Sequence, residues 1–333
     1  MAEKQRILSG MRPTGRLHLG NLVGALLNWR HLQDQYQCYF MVADYHALMS
    51  EYADPSKLFD NTREVVIDWI SCGLDPERSV IFRQSDVAGH AELHLVLSCY
   101  TPLSWLERCP TYKEQLKQMA GRDLTNYAFL GYPCLQAADI VLYRAHCVPV
   151  GEDQLPHLEL TREIVRRFNG MVGEEVFPEP MAKLTQAARL LGLDRRKMSK
   201  SYGNQIDIAD DPDTIRKKVM TMITDPKRIR LKDPGHPDEC NVCDYFKVFC
   251  PTDHAEVERK CAASEWGCTE CKKKLGEVLI LYLSEPREKR KQLEADPGAV
   301  EKILARGAEQ ANDFASQTLA EVRRLTGLGP KPR

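Results

Sequence analysis

Short apolar runs alternate with stretches of helical periodicity from the N-terminus to about residue 205, and few folds accept that rhythm. Ile7-Leu8 runs into a Gly/Pro turn, after which Leu22, Val23, Leu26 and Leu27 fall at helical spacing. Residues 38–43 read as a buried strand. Residues 55–72 carry Leu58, Val65, Val66, Trp69 and Ile70 at helical spacing after Asp54-Pro55, a plausible cap and first turn. Residues 79–82 form another short strand and 91–98 another helix. Strands separated by helices pair in parallel through crossovers, so the expectation is an α/β fold built on a Rossmann-like, doubly wound parallel sheet. Such sheets bind ligands beyond the carboxyl ends of their strands, which is where His18 falls.

Two stretches suit phosphate. The first is Ser9-Gly10-Met11-Arg12-Pro13-Thr14-Gly15-Arg16-Leu17-His18-Leu19-Gly20-Asn21, a strand-to-helix junction. The free amides and dipole of a helix N-terminus favour anions there, and Gly20 allows a flat base to approach the backbone. The second is Arg195-Arg196-Lys197-Met198-Ser199-Lys200-Ser201, small hydroxyl residues between lysines. Taken alone it is a solvated basic turn; as a mobile loop it can close ammonium groups over a polyphosphate.

Between them lies pocket material. Leu130–Ile140 is mostly apolar, yet carries Tyr132, Gln136 and Asp139 on one helical face. A carboxylate in such surroundings needs a partner: an N–H donor on a ligand, or a cap or ion pair within the protein. Val148-Pro149-Val150-Gly151-Glu152-Asp153-Gln154 offers two valines for an apolar wall and acceptors for a hydroxyl or ammonium group. The polar stretch 111–127, with Lys113, Lys117 and Arg122, reads as a connector.

The chain has 333 residues, enough for two domains, with 46 Lys+Arg against 47 Asp+Glu. So even a balance argues against broad nucleic-acid binding and leaves only local basic patches. No apolar run spans a membrane, and the N-terminus lacks a signal peptide, so the expected location is the cytoplasm. After residue 205 strand signals fade and helical ones remain at 212–224, 275–283 and 298–325, which implies an all-α part over 206–333. Six of the twelve cysteines crowd into 240–271. In a reducing compartment they are poor disulfide candidates. Cys240, Cys261, Cys268 and Cys271 could hold a [4Fe–4S] cluster. Alternatively Cys240/Cys243 and Cys268/Cys271 could hold a tetrahedral zinc, or all could be free thiols.

The two phosphate stretches together resemble the ATP-binding motifs of class I aminoacyl-tRNA synthetases: His18-Leu19-Gly20-Asn21 looks like HIGH, and Lys197–Ser201 matches KMSKS letter for letter. Asn21 in the fourth position is common in the tryptophanyl branch. Tyr132-Pro133-x-Leu135-x-Ala137-Ala138-Asp139-Ile140 and the run 148–154 are similar to that branch's amino-acid and ribose segments. The tyrosyl branch shares the fold and a Gln-x-x-Asp pair, but not Ala137-Ala138-Asp139. The resemblance implies ATP-dependent activation of L-tryptophan and transfer to tRNA(Trp), with Mg2+, in a homodimer that takes neither membrane nor DNA as partner. It implies a catalytic and substrate-binding domain over 1–205 and an anticodon-binding domain over 206–333. It places ATP at Arg12, Pro13, Thr14, His18, Gly20, Asn21, Gly151, Glu152, Asp153, Leu190, Lys197, Met198, Ser199, Lys200 and Ser201, with His18, Lys197 and Lys200 catalytic. It places tryptophan at Leu8, His46, Tyr132, Gln136, Asp139, Val148, Val150 and Gln154, with Asp139 accepting the indole N–H. A bacterial subgroup of the branch carries a [4Fe–4S] cluster at closely similar cysteine spacing, with Cys240 or Cys243 as first ligand. Such a cluster would turn Lys272, Lys273 and Lys274 toward the anticodon.

Overall fold

The computed structural model describes residues 4–110, 126–184 and 190–329; Lys113, Lys117 and Arg122 lie outside them. Strand β1 (Arg6–Met11) leads through the Gly/Pro turn into a helical turn (Leu19–Asn21), a π-helical turn (Leu22–Leu26) and α1 (Leu27–Gln35). Then come β2 (Gln37–Val42), α2 (Asp44–Glu51), α3 (Leu58–Ser71), β3 (Ser79–Arg83), α4 (Gly89–Tyr100) and α5 (Leu103–Arg108). The helix α6 (Tyr127–Leu142) is followed by β4 (Cys147–Val150), α7 (Leu155–Val172) and β5 (Met181–Leu184). The remainder is helical: α8 (Pro212–Met220), α9 (Asn241–Phe249), α10 (His254–Ala262), α11 (Cys268–Tyr282), α12 (Ser284–Ala295) and α13 (Pro297–Thr326).

The five strands form one sheet in the order β3-β2-β1-β4-β5, with every neighbouring pair parallel. This is the doubly wound arrangement expected. The order reverses between β1 and β4, and the crevice at that switch point opens beyond their carboxyl ends. Because helices cover both faces, β2 is buried from Cys38 to Val42 and reads as a continuous apolar run without alternation. On one face Trp29 stacks on Phe40 at 4.9 Å; on the other Tyr39 stacks on Tyr143 at 4.7 Å.

Two local readings shift. Asp54 does not cap α3: its carboxylate accepts the Ser56 N–H at 3.2 Å in a turn, and the helix begins only at Leu58. The last long helix, α13, lies on the sheet. Gly307 sits so close to β3 that a Cβ there would meet the Ile81 carbonyl oxygen at 1.9 Å, and Ala308, Ala311 and Ala315 join the core beneath it.

Candidate active site

The helix after β1 starts at His18, in a reciprocal cap. The Asn21 N–H donates to His18 Nδ1 at 3.2 Å, and the His18 N–H donates to Asn21 Oδ1 at 3.1 Å. With Nδ1 accepting, a neutral ring carries its proton on Nε2 and can donate it to an anion. Burial, reinforced by the charge of Lys200, brings the His18 pKa down to about 4. The Asn21 oxygen being committed to the cap, only its NH2 group can face a phosphate. Around this turn the chain is stitched to the segment behind the lysine loop: Leu19 N–H donates to Ile206 C=O and Ile208 N–H to Leu17 C=O, both at 2.9 Å.

The lysine loop rests on the junction. Lys200 Nζ donates to the Thr14 carbonyl at 2.6 Å, and the Gly20 N–H meets Met198 Sδ at 3.2 Å. A Cβ on Gly20 would sit 3.0 Å from the His18 ring and 3.4 Å from Met198 Cβ, so the close approach of these two side chains requires a glycine here. Leu190 is buried in the same core as Met198. The Ser199 and Ser201 hydroxyls bond each other at 2.8 Å. Asn204 braces the loop, accepting Ser199 N–H at 2.8 Å and donating to Asp194 Oδ1 at 2.7 Å and to Lys197 C=O at 3.2 Å. Sequence reasoning passed over Asn204, which had no signal beyond following the motif. Burial lowers the Lys200 pKa, against the opposing pull of Asp207, Asp68 and Glu64.

A cavity of about 480 Å³ opens beside this pair of elements, between the ends of β1 and β4 and the helix α6. It brings together Leu8, Arg12, His46, Tyr132, Gln136, Asp139, Val148, Val150, Gly151 and Gln154. Pro13, Thr14, His18, Gly20 and Asn21 belong to the adjoining junction, and Glu152 and Asp153 to a helical turn at the cavity rim. There Gln154 Nε2 donates to Asp153 Oδ2 at 3.0 Å. The π-helical turn supplies Gly24 and Ala25 to the wall, contributions without a sequence signal.

Asp139 is 2% exposed and holds three donors. Gln84 Nε2 at 2.8 Å and His90 Nδ1 at 2.7 Å share Oδ1; His46 Nε2 meets Oδ2 at 2.9 Å. The far nitrogen of His90 pairs with Tyr143 OH at 2.8 Å, which leaves Nδ1 to donate to Asp139 when Tyr143 donates to Nε2. Burial alone would raise the Asp139 pKa, but the hydrogen bonds of His46 and His90 outweigh it and bring it to about 2. Gln84 and His90 were missed because nothing in their spacing sets them apart. On the far wall Tyr132 OH pairs with His157 Nε2 at 3.1 Å, and His157 Nδ1 lies 3.6 Å from Cys109 Sγ.

Away from the cavity, Cys240, Cys243, Cys261, Cys268 and Cys271 gather closely enough to shift one another's ionisation. Cys240, at the start of α9, is drawn below the usual thiol range by the Cys243 thiol and by the backbone N–H groups of Cys243 and Val242. Among the described residues no three of His, Cys, Asp or Glu are already arranged to hold a single metal ion. Of the neighbouring lysines, Lys272 donates to Met220 C=O at 3.0 Å and Lys274 lies over the Trp266 ring at 4.6 Å. Among the described residues no helix is long and apolar enough to cross a membrane.

The chain matches the family "tRNA synthetases class I (W and Y)" over residues 1–284. It is 47% identical to the tryptophan–tRNA ligase of Thermotoga maritima, over 97% of this chain and 99% of that one. It is 40% identical to the tryptophan–tRNA ligase of Aquifex aeolicus, over 97% and 100%. Among solved structures it is similar to tryptophanyl-tRNA synthetase from Campylobacter jejuni complexed with ADP and tryptophan, with a TM-score of 0.89 and 34% identity over 97% of this chain and 100% of that one.

Proposed function

We infer how this cleft works from the family to which the chain belongs, the class I tRNA synthetases of the tryptophan and tyrosine type, and from its activity as a tryptophan–tRNA ligase. In that reaction the tryptophan carboxylate attacks the α-phosphorus of ATP and pyrophosphate leaves. The adenylate then passes its acyl group to tRNA(Trp). The protein's share is positioning and charge stabilisation.

The observation that carries the site assignment is the bonding of Asp139. Oδ1 already takes two donors and Oδ2 one, while a carboxylate offers about four acceptor positions. The position left on Oδ2, beside His46 at the cavity, suits the indole N–H. Leu8, Tyr132, Val148 and Val150 would flank the indole, and Gln136 and Gln154 would take the polar end of the amino acid. ATP would lie across the junction: adenine over Gly20 and Met198, ribose by Gly151, Glu152 and Asp153, phosphates by Arg12, Pro13, Thr14, His18 and Asn21. Leu190, buried in the same core as Met198, would pack near the adenine. Lys197 and Lys200, with Ser199 and Ser201 beside them, would close on the β- and γ-phosphates as charge develops. Mg2+, carried on the ATP phosphates, supplies further charge neutralisation when bound.

Residues 1–205 are then the catalytic part and 206–333 the helical part that carries the anticodon contacts, with its α12 and α13 packed back on the catalytic part, in a cytoplasmic enzyme. Exposed Leu48, Tyr52, Leu95, Leu103 and Tyr127 give apolar surface to a homodimer. The gathered thiols, with backbone N–H groups directed at Cys240 and with Arg228 near Cys261 and Cys271, fit a thiolate-held group. A [4Fe–4S] cluster on Cys240, Cys261, Cys268 and Cys271 is the reading that resemblance to the cluster-bearing subgroup favours, with Cys243 as alternative first ligand and Zn2+ as alternative metal. Amino-acid-dependent ATP–pyrophosphate exchange tests the substrate: exchange with tryptophan and not tyrosine is expected, and the reverse would overturn it.

A further inference from the structure

A buried ion pair joins the C-terminal helices to the phosphate junction. Asp68 of α3 is fully enclosed, and the Arg290 side chain of α12 is 4% exposed. Asp68 Oδ2 accepts the Leu17 N–H at 2.6 Å, while Oδ1 accepts Arg290 Nη1 at 2.5 Å. Arg290 also reaches Glu64 and Glu294, and Arg16 bonds Glu64 at 2.9 Å from outside.

Leu17 immediately precedes His18. Its N–H, in the 16–17 peptide, is held by Asp68 and its C=O, in the 17–18 peptide, by Ile208, so both peptides flanking Leu17 are anchored just ahead of the His18 side chain. Lys200 feels the charges of Asp68 and Glu64 together with that of Asp207. A buried ion pair is a poor source of stability, since an apolar pair of similar volume often serves as well. An apolar residue at 68 would, however, leave the Leu17 N–H without its acceptor.

We propose that Asp68 and Arg290 are positioning residues for the ATP step: through Leu17 they set where His18 meets the phosphates, so that helix α12 helps to determine the geometry of activation. The proposal rests on the reading of His18 as a phosphate contact in tryptophan activation.

The test compares wild type with Asp68→Leu/Arg290→Met, Asp68→Asn/Arg290→Gln and Arg290→Lys. For each, thermal melting, tryptophan affinity by intrinsic fluorescence, and kcat and KM for ATP in pyrophosphate exchange are measured, with rates corrected for active fraction. The apolar pair should bind tryptophan like wild type yet lose about 10²-fold in kcat/KM for ATP. The amide pair restores an acceptor to Leu17 and should recover at least about 10-fold of that loss. Should the apolar pair not fold, Arg290→Lys keeps the charge without the fork and should raise KM for ATP about 10-fold at near-native melting temperature. An apolar pair, or in its absence a lysine variant, within about 3-fold of wild type for ATP overturns the proposal, as does loss of tryptophan and ATP kinetics in equal proportion. Wild type that shows no tryptophan-dependent exchange would instead remove the underlying reading, and the proposal with it.

Discussion

Replacing Asp139 by Asn tests the amino-acid pocket most sharply, because the carboxylate is already crowded with donors. An amide offers one oxygen in place of two. Turned toward Gln84 and His90, that oxygen keeps both bonds but presents NH2 to His46 and to the indole N–H. Turned the other way, the NH2 faces two buried donors, which is worse. In the better orientation the substrate loses one charge-assisted hydrogen bond, about 2–3 kcal/mol, and meets a donor where it needs an acceptor. A total near 3 kcal/mol corresponds to roughly 10²-fold in kcat/KM for tryptophan. The assay is tryptophan-dependent ATP–pyrophosphate exchange, run beside an analogue with sulfur in place of the indole N–H. Wild type should reject the analogue by roughly 10²-fold or more, and Asp139→Asn should use both about equally. Because the Asp139 pKa is held near 2, below its unfolded value, its carboxylate and the stability it contributes are fully present above 3.8 and fade only as pH falls toward 2. Discrimination should therefore be flat across neutral pH. A variant within about 3-fold of wild type for tryptophan, or a wild type that accepts the analogue as readily as tryptophan, would refute the reasoning.

Lys200→Ala should lower kcat for exchange about 10²-fold and change KM for tryptophan much less, since its charge acts where negative charge accumulates. A change confined to KM would remove the lysine from the transition state. NMR titration of the His18 ring should find a midpoint near 4 rather than the usual 6.5. As the folded value lies below the unfolded one, the folded state loses stability from this group as pH falls from 6.5 toward 4. Gly307→Ala should destabilise the protein by about 3 kcal/mol or more, read as a lower melting temperature, because the added carbon collides with the Ile81 backbone. An unchanged melt would show that α13 can lift off β3 at no cost.

The legibility of the chain followed the range of the forces. Strand and helix signals are local, so 38–43, 79–82 and the run ending at Leu27 appear as elements close to where they were expected. Residues that share one helical turn, such as Tyr132, Gln136 and Asp139, were legible as a face, and the structure turns all three into one cavity. Asn204, Gln84, His90 and the Asp68–Arg290 pair were not legible. Gln84, His90 and the Asp68–Arg290 pair are polar residues in ordinary local settings, given meaning only by neighbours tens or hundreds of positions away, whereas the partners of Asn204 lie only 5 to 10 positions off, in a loop with no periodicity to read. The start of α3 was misplaced for a subtler reason: Asp54 could satisfy a turn amide as readily as a helix amide, and it chose the turn. That α13 would lie on β3 had one trace in the sequence, the small residues Gly307, Ala308, Ala311 and Ala315 along one side of an otherwise bulky helix.

The seat of α13 on β3 has a consequence for synthesis. The chain leaves the ribosome N-terminus first, so the β-strands are complete long before the helix that covers Ile81 and packs near Phe82 and Tyr143 has been translated. Until then one flank of the nascent sheet stays bare and open to wrong partners. A message cut short before the codon for Gly307 would yield every residue of the cleft and no lid for the sheet beneath it. Such a fragment should be caught by chaperones and proteases, which ties the amount of working enzyme to complete translation of its own chain.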